Sequence, residues 1–111
     1  MSKSKGTRAE NEVVATLRER GWYAWRLLPT TNDRDDEVVG SGVADVIALR
    51  AGSRPRLIEV KATKAGPYAG FVPARRVRLS EVAKEADADA LLAWKEPRKG
   101  IRFIPEAAWP S

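Results

Sequence analysis

A short stretch near the middle of the chain, "RLIEVKATK" at residues 56–64, places two charged residues inside an apolar strand. Glu59 and Lys61 are two residues apart, so their side chains share one face of that strand. The preceding run "ADVIALR" (44–50) also predicts a strand, and the turn "AGSRP" joins the two as a β-hairpin. Charges on a face that should be buried need partners or a ligand, so this hairpin constrains the fold more than any other feature.

The predicted hairpin brings a second carboxylate to the same place. If the turn is centred on Ser53, Asp45 lies opposite Lys61, and Glu59 lies diagonal to Asp45 on the same face. The other end of that face is predicted to be filled by three apolar residues: Ile47, Leu49 and Leu57.

Such a cluster suits a divalent cation. Two carboxylates a few ångströms apart repel by up to about 4 kcal/mol at an effective dielectric near 20. Mg²⁺ would offset that repulsion, with the Val60 backbone carbonyl as a further oxygen ligand, and Mn²⁺ is expected to substitute for it. A metal site beside Lys61 fits phosphodiester hydrolysis, because the ammonium stabilises charge that develops on phosphorus. The alternative is that Glu59 and Lys61 pair with each other on a solvated face. The presence of Asp45 on the paired strand favours the metal site.

Composition narrows the remaining chemistry. The 111 residues include no Cys and no His, which excludes disulfides, thiol nucleophiles, imidazole bases and ordinary zinc sites. The net charge of +5 and the pI of about 9.9 are compatible with a polyanionic partner but do not establish one. The length predicts one domain over residues 1–111, and the absence of an apolar N-terminal segment predicts an intracellular (cytoplasmic) protein.

The hydrophobic pattern predicts the element order α-β-β-β-α-β-β. A central mixed five-stranded sheet flanked by helices on both sides, an α/β fold, would bury the apolar faces of all these elements. The predicted elements are a helix at 7–20, strands at 22–28, 44–50 and 56–63, a helix at 80–88 with Ser80 as N-cap, and strands at 90–95 and 101–105. The predicted irregular segments are a flexible basic arm at 1–6, a long acidic loop at 28–42 and a basic loop at 64–76, and Trp109 is expected to fold back onto the body.

At these residues the sequence resembles a known family. Asp45 and "IEVKATK" (58–64) look like the active-site hairpin of the PD-(D/E)XK nucleases. A longer pattern is similar to the archaeal-type Holliday junction resolvases, which also occur in phages. The segments that carry it are "KGTRAENEVVATLRERGW" (5–22), Arg26, "SGVADVIAL" (41–49), "IEVKATK" and, more loosely, 91–105. The resemblance implies a restriction-endonuclease-like core and a Mg²⁺-dependent homodimer that cuts two opposed strands of a four-way DNA junction.

The resemblance also implies roles for six residues. The metal-binding carboxylates would be Glu10, Asp45 and Glu59, the catalytic lysine Lys61, the serine beside the active site Ser41, and the strand arginine that handles substrate Arg26. Two departures stand out. Asn11 occupies a position where relatives often carry Arg, and residues 28–40 form a longer, more acidic loop than in relatives. Either that loop is a solvated surface loop, or its acidic residues repel mispositioned phosphates or narrow the choice of junction.

Basic and aromatic residues near the hairpin are candidates for DNA contacts. The basic candidates are Lys3, Lys5, Arg8, Lys64, Arg75, Arg76 and Arg78. Their contacts would be to phosphates, which fix position without reading sequence; the alternative is ordinary surface charge. Tyr68 and Phe71 are predicted to contact an opened junction or to pack at a subunit interface. The four Trp residues would either stack on bases or pack in the core or dimer interface.

Three functions therefore remain open from the sequence. The first is a structure-selective endonuclease that resolves four-way junctions. The second is another PD-(D/E)XK nuclease, acting on flap, branched or duplex DNA. The third is a catalytically silent DNA-binding module, in which carboxylates near the DNA would only weaken binding.

Overall fold

The computed structural model describes residues 5–27, 30–31, 38–39 and 43–110. The two helices are α1 (Lys5–Glu19) and α2 (Pro73–Glu85), and a short 3₁₀ helix spans Glu106–Ala108. The strands are β1 (Tyr23–Arg26), β2 (Thr30–Thr31), β3 (Val38–Val39), β4 (Val46–Leu49), β5 (Arg56–Ala62), β6 (Asp89–Lys95) and β7 (Ile101–Pro105). Within the described ranges, no helix has the length and apolar character needed to cross a membrane.

The main sheet has five strands in the order β1-β4-β5-β6-β7. β5 and β6 are parallel, whereas the other three neighbouring pairs are antiparallel. The predicted mixed five-stranded sheet and the order of its elements are confirmed. β5 lies at the centre of the sheet, so its side chains are covered on both faces.

Helix α1 covers one face of the sheet. Ala9, Val13 and Leu17 recur every fourth residue and are buried against that face, next to Ile58 of β5. Gly21 follows the helix with a φ of 90°, a backbone conformation that favours glycine, and so ends the helix as predicted. Because α1 begins at Lys5, the prediction of a flexible arm over residues 1–6 was wrong for its last two residues.

Helix α2 covers the opposite face, but it begins seven residues before the predicted start. Pro73 is the first residue of the helix, where its fixed φ suits the first turn and its missing N–H has no partner to lose. The prediction that Ser80 caps the helix was wrong: Ser80 lies inside α2, and its hydroxyl donates a hydrogen bond to the Glu106 carboxylate. Leu79 and Ala83 are the buried residues of this helix.

In the hairpin formed by β4 and β5, the side chains lie on the predicted faces of the strands, but the pairing register differs. Val46 pairs with Ile58, which centres the turn near Gly52 instead of Ser53 and shifts the register by two residues. Gly52 has a φ of 79°, a conformation that glycine tolerates best. A shift of two residues keeps every side chain on its predicted face, but Asp45 does not lie opposite Lys61.

The apolar end of the hairpin face is only partly filled as predicted. Leu57 is buried and Ile47 is half-buried in the cluster that α2 covers. Leu49 is 37% exposed, so its predicted place in the core was wrong. On β1, Tyr23 pairs with Leu49, and both side chains are exposed at this edge of the sheet.

Several predictions fall on the segment between β1 and β4. The prediction of a loop throughout 28–42 was wrong for β2 and β3, which pair as a small antiparallel sheet. Ser41 and the four acidic residues at 33 and 35–37 lie outside the described residues, as does Lys3 near the N-terminus. For Lys5, the described part is the backbone within α1.

Aromatic residues form much of the core on the α2 side. Phe71 is fully buried and meets the Trp109 ring edge to face, with ring centres 5.0 Å apart. The tail therefore folds back as predicted, but the prediction that Phe71 contacts DNA or a subunit interface was wrong. Trp22 and Trp94 are buried, which confirms core packing for these two, whereas Trp25 is 47% exposed and stays open to either role.

Candidate active site

Glu59 is the one charged residue among the buried residues of the described chain, with 2% of its surface exposed. It lies in the middle of β5 and points toward α2. A buried carboxylate needs compensation, and two cations provide it. Lys61 Nζ lies 3.1 Å from Oε2, and Arg75 Nη2 lies 2.9 Å from Oε1. The pairing of Glu59 with Lys61 is the one expected from their spacing, but it occurs in a buried site instead of on a solvated face.

Asp45 completes the carboxylate pair at the point where β4 begins. Its backbone N–H donates to the Ile58 carbonyl at 2.9 Å, and its Oδ2 accepts a hydrogen bond from the Val60 N–H at 2.8 Å. Both bonds use the edge of β5 that faces β4. A residue's N–H and C=O point to the same edge of a strand, so the Val60 carbonyl is directed to this edge as well.

The charge on Asp45 is incompletely neutralised. Burial raises its pKa from 3.8 to about 6, and the nearby carboxylate of Glu59 adds to the effect. The hydrogen bond from Val60 lowers the pKa, Glu10 raises it, and Lys61 lowers it, in decreasing order of effect. The carboxylate form of Asp45 is therefore held at a cost in free energy.

Glu10 reaches this end of the sheet from α1, but an arginine holds it. Arg26 Nε of β1 lies 3.0 Å from Glu10 Oε1, and both side chains are partly buried. Among the described residues, no three carboxylates are arranged to hold one metal ion. The structure therefore brings Asp45 and Glu59 together and places Glu10 close enough to act on Asp45 electrostatically, with its carboxylate directed to Arg26.

The residues at this site fit a hard divalent cation. The groups available are the carboxylates of Asp45 and Glu59 and the carbonyl of Val60, all of them oxygen donors, which Mg²⁺ and Mn²⁺ accept. Burial, together with the neighbouring carboxylate of Glu59, raises the pKa of Asp45, so the charged form of Asp45 is disfavoured in this setting. A bound cation would stabilise that charged form.

A loop between β5 and α2 lies beside Lys61. Gly70 has a φ of 81°, and a Cβ built on it would lie 3.6 Å from Lys61 Nζ. Tyr68 is half-buried in the same loop, and its hydroxyl donates to the Ala108 carbonyl at 3.4 Å. The Arg76 guanidinium lies 5.6 Å from the centre of the Tyr68 ring and donates to the Phe71 carbonyl. These contacts fix the loop next to the catalytic lysine candidate.

The remaining DNA-contact candidates are more dispersed. Arg8 on α1 and Lys64 after β5 are exposed, and so is Arg78 on α2. Arg75 and Arg76 lie in the first turn of α2 instead of the predicted basic loop. Sequence reasoning missed that Arg75 would hold Glu59. The signal that could have found it is Pro73, which is suited to the first position of a helix and places Arg75 in the first turn.

Trp94 is a second supporting residue that sequence reasoning missed. It pairs with Lys61 across the parallel strands β5 and β6. Its Nε1–H donates to the Thr63 carbonyl at 2.8 Å, just past the end of β5. This bond fixes the end of the strand that carries both Glu59 and Lys61.

Known proteins resemble this chain in sequence and in fold. A family model described as archaeal Holliday junction resolvase (Hjc) matches residues 1–109. The crossover junction endodeoxyribonuclease Hjc of Sulfurisphaera tokodaii is 33% identical over 103 residues, which cover 93% of this chain and 67% of that protein. The solved structure of Archaeoglobus fulgidus Hjc, a Holliday junction resolvase, matches with a TM-score of 0.74 and 28% identity over 92% of this chain and 78% of the other. The chain therefore belongs to the archaeal Holliday junction resolvase family.

Proposed function

We propose that this chain is a structure-selective, metal-dependent endodeoxyribonuclease that resolves four-way DNA junctions by cutting two opposed strands. The observation that carries the proposal is the buried carboxylate of Glu59, paired with Lys61 and set beside the carboxylate of Asp45, whose pKa is raised by burial and by Glu59. Membership in the resolvase family is the reason for proposing four-way junctions as the substrate, because the two named relatives are junction-acting proteins.

Asp45 and Glu59 are the proposed metal-binding carboxylates, with the Val60 carbonyl as a third oxygen. Mg²⁺ is the proposed ion, and Mn²⁺ is expected to replace it. When bound, such an ion neutralises the carboxylates and makes water a better nucleophile near neutral pH. Glu10 and Ser41 are proposed as further residues of the site. Arg26, which holds Glu10 at 3.0 Å, is proposed to contact substrate.

Lys61 is proposed to stabilise the transition state of hydrolysis. Its ammonium lies 3.1 Å from Glu59 Oε2, so its position is set before substrate arrives. In hydrolysis a water oxygen forms a bond to phosphorus as the bond to the leaving oxygen breaks, and negative charge builds up on the phosphoryl oxygens. A fixed cation beside those oxygens lowers the barrier, because no reorganisation is needed at the moment of reaction.

The DNA backbone is proposed to be held by basic residues around this site. The residues are Lys3, Lys5, Arg8, Lys64, Arg75 and Arg76, with Tyr68 as a candidate for contact at the junction centre. Two scissions require two sites, so a homodimer with two-fold symmetry would match the approximate symmetry of a four-way junction. Phosphate contacts of this kind select the shape of the DNA and not its sequence.

The test compares cleavage of a synthetic four-way junction with cleavage of linear duplex of the same sequence, in the presence of Mg²⁺. The wild-type protein should cut the junction and leave the duplex largely intact. The Glu59→Gln variant should lose cleavage by on the order of 10³-fold or more, because a metal-binding carboxylate becomes a neutral amide. Its junction affinity should be kept or increased, since one negative charge near the phosphates is removed.

Two results would overturn the proposal. Equal cleavage of junction and duplex would indicate another PD-(D/E)XK nuclease activity. Absence of any Mg²⁺-dependent or Mn²⁺-dependent cleavage by the wild-type protein, with junction binding intact, would indicate a silent DNA-binding module. Glutamine is nearly isosteric with glutamate, so a normal thermal unfolding transition for Glu59→Gln serves as the control for folding.

A further inference from the structure

The end of the sheet opposite the carboxylates gathers three arginines, which we call the arginine cluster: Arg20, Arg50 and Arg56. Arg20 follows α1, Arg50 follows β4, and Arg56 begins β5. Lys61 is five residues further along β5 than Arg56, a separation of about 16 Å at roughly 3.3 Å per residue. The cluster is therefore distinct from the candidate active site, although the same strand carries both.

Aromatic rings hold the guanidinium groups of the cluster in place. The Cζ atoms of Arg50 and Arg56 lie 4.2 Å and 4.3 Å from the centre of the Trp22 ring. The Cζ atom of Arg20 lies 5.4 Å from the centre of the Phe103 ring, and the Arg20 carbonyl accepts a hydrogen bond from Arg50 Nη1 at 3.4 Å. Stacking restrains the planar groups and itself uses none of their N–H donors. Arg50 Nε also donates to Ser53 Oγ at 3.4 Å, which leaves Nη2 of Arg50 for a ligand.

The cluster lacks an acidic partner within the described part of the chain. None of the ion pairs found there includes Arg20, Arg50 or Arg56. The neighbouring carboxylates of Asp87 and Asp89 are bound by Arg54, at 3.1 Å and 3.0 Å.

Like charge therefore accumulates around Arg56. Burial lowers its pKa, the charge of Arg50 lowers it further, Asp89 opposes this, and Arg20 adds a smaller lowering. An approaching anion would relieve this repulsion, and the stacked guanidiniums present several donors to it without further ordering.

We propose that the arginine cluster binds backbone phosphates of DNA, and that the DNA is an arm of the same junction that is cut at the carboxylate end. This inference rests on the proposed function. Guanidinium groups match phosphate oxygens with paired N–H donors, and the whole chain carries a net charge of +5. An arm rises about 3.4 Å per base pair, so about five base pairs span the separation of roughly 16 Å along β5.

The experiment measures junction affinity as a function of salt for the double variant Arg50→Gln/Arg56→Gln, using junctions with long arms. Each phosphate contact contributes about 0.9 to the slope of log K against log [salt]. The double variant should therefore lower the magnitude of the slope by about 2. Its cleavage rate at saturating junction should stay close to that of the wild type, because neither arginine belongs to the active site.

Arg54→Gln is the matched control. It removes one charge from the same end of the sheet, as each substitution of the double variant does, but donors of Arg54 are already occupied by Asp87 and Asp89. Its salt slope should stay near the wild-type value. A fall in slope of about 1 for Arg54→Gln, half that of the double variant, would mean that net charge alone matters, and the proposal would be wrong.

A second variant guards against misfolding, because Arg50 and Arg56 cover the Trp22 ring. Arg20→Gln leaves both of them in place and should lower the slope by about 1. If the double variant loses its thermal unfolding transition, Arg20→Gln decides: an unchanged slope overturns the proposal, and a lowered slope supports it.

The charge of the distant phosphates separates this inference from the proposed function. Junctions whose phosphates beyond the fourth base pair of each arm are replaced by neutral methylphosphonates carry no charge at the distance of the cluster, because four base pairs span roughly 14 Å. On such junctions the variants and the wild type should bind alike. If the wild type cuts no junction, the proposed function fails. If it cuts junctions and the arginine variants match it on long arms, only the inference fails, and an acidic protein surface becomes the alternative ligand.

Discussion

The two ends of the central sheet hold groups of opposite charge, and strand β5 carries residues of both groups. At the carboxylate end, Asp45 and Glu59 are close together, and cations from β5 and α2 pair with Glu59. At the arginine cluster, three guanidinium groups converge on two aromatic rings, and the nearby acids are bound by Arg54. Each end therefore keeps groups of like charge close together, two carboxylates at one end and three guanidinium groups at the other.

The comparison shows how such a group of like charges can be recognised. Most charged side chains of a folded protein are solvated or paired, and like charges at close range are disfavoured. Where the fold nevertheless holds them together, an external ion of opposite sign is the simplest compensation. A divalent cation would serve at the carboxylate end and backbone phosphates at the arginine cluster, so one DNA-bound, metal-loaded state would satisfy both ends.

The largest expected effect comes from Asp45→Asn. Cleavage of the junction should fall by on the order of 10³-fold, because a proposed metal-binding carboxylate is lost. The metal-free variant should also be more stable than the wild type at pH 8. The folded pKa of Asp45, about 6, lies above the ordinary 3.8, so the charged form destabilises the fold increasingly as the pH rises through this interval.

The size of that stabilisation follows from the shift. A change from 3.8 to about 6 corresponds to at most about 3 kcal/mol, and solvent screening reduces the expected gain to roughly 1 kcal/mol. Thermal unfolding measures it. Saturating Mg²⁺ should stabilise the wild type, by about 2.7 kcal/mol at a concentration of one hundred times Kd, and the variant much less. Equal stabilisation of both proteins would show that Asp45 does not bind the ion.

An intermediate effect is expected from Arg75→Ala. If Arg75 positions Glu59 through their 2.9 Å contact, kcat at saturating junction should fall by roughly 10–100-fold, as for other groups that orient metal ligands. Arg75→Lys should recover part of that loss, because it keeps a cation near Glu59. A rise in KM with unchanged kcat and a smaller salt slope would instead assign Arg75 to a DNA phosphate, as the sequence suggested.

The smallest expected effect is on the stability of Arg50→Gln in the absence of DNA. The substitution removes a stacking contact with Trp22 of about 0.5–1 kcal/mol, but it also relieves repulsion at Arg56. The two effects oppose each other, so the free energy of unfolding should change by less than about 0.5 kcal/mol. A loss well above that in urea unfolding would show that the cluster is mainly a structural element, which would weaken the comparison between the two ends.

Local patterns were sufficient to predict much of the fold. Alternation along β4 and β5 fixed which side chains share a face, and that facing survives a register error of two residues because the strand repeat is two. The order of helices and strands followed from periodicity and from glycine at the end of α1. The pairing of Glu59 with Lys61 followed from their spacing.

Features that depend on distant contacts were not predictable. Phe71 is buried because Trp109, far along the chain, packs against it. Arg75 reaches Glu59 only because α2 begins at Pro73, and the start of that helix was placed too late. The arginine cluster joins three residues from separate elements around Trp22 and Phe103, and no local pattern links them.

Gly70 makes the loop between β5 and α2 sensitive to substitution. The residue has no side chain to take part in chemistry, yet its φ of 81° is a conformation that favours glycine, and a Cβ at this position would lie 3.6 Å from the Lys61 ammonium. Almost any replacement would therefore strain the backbone there and place a side chain against the lysine. When variants of this protein are screened for altered cleavage, hits at position 70 would thus report on the geometry of Lys61 and should not be mistaken for a new functional group.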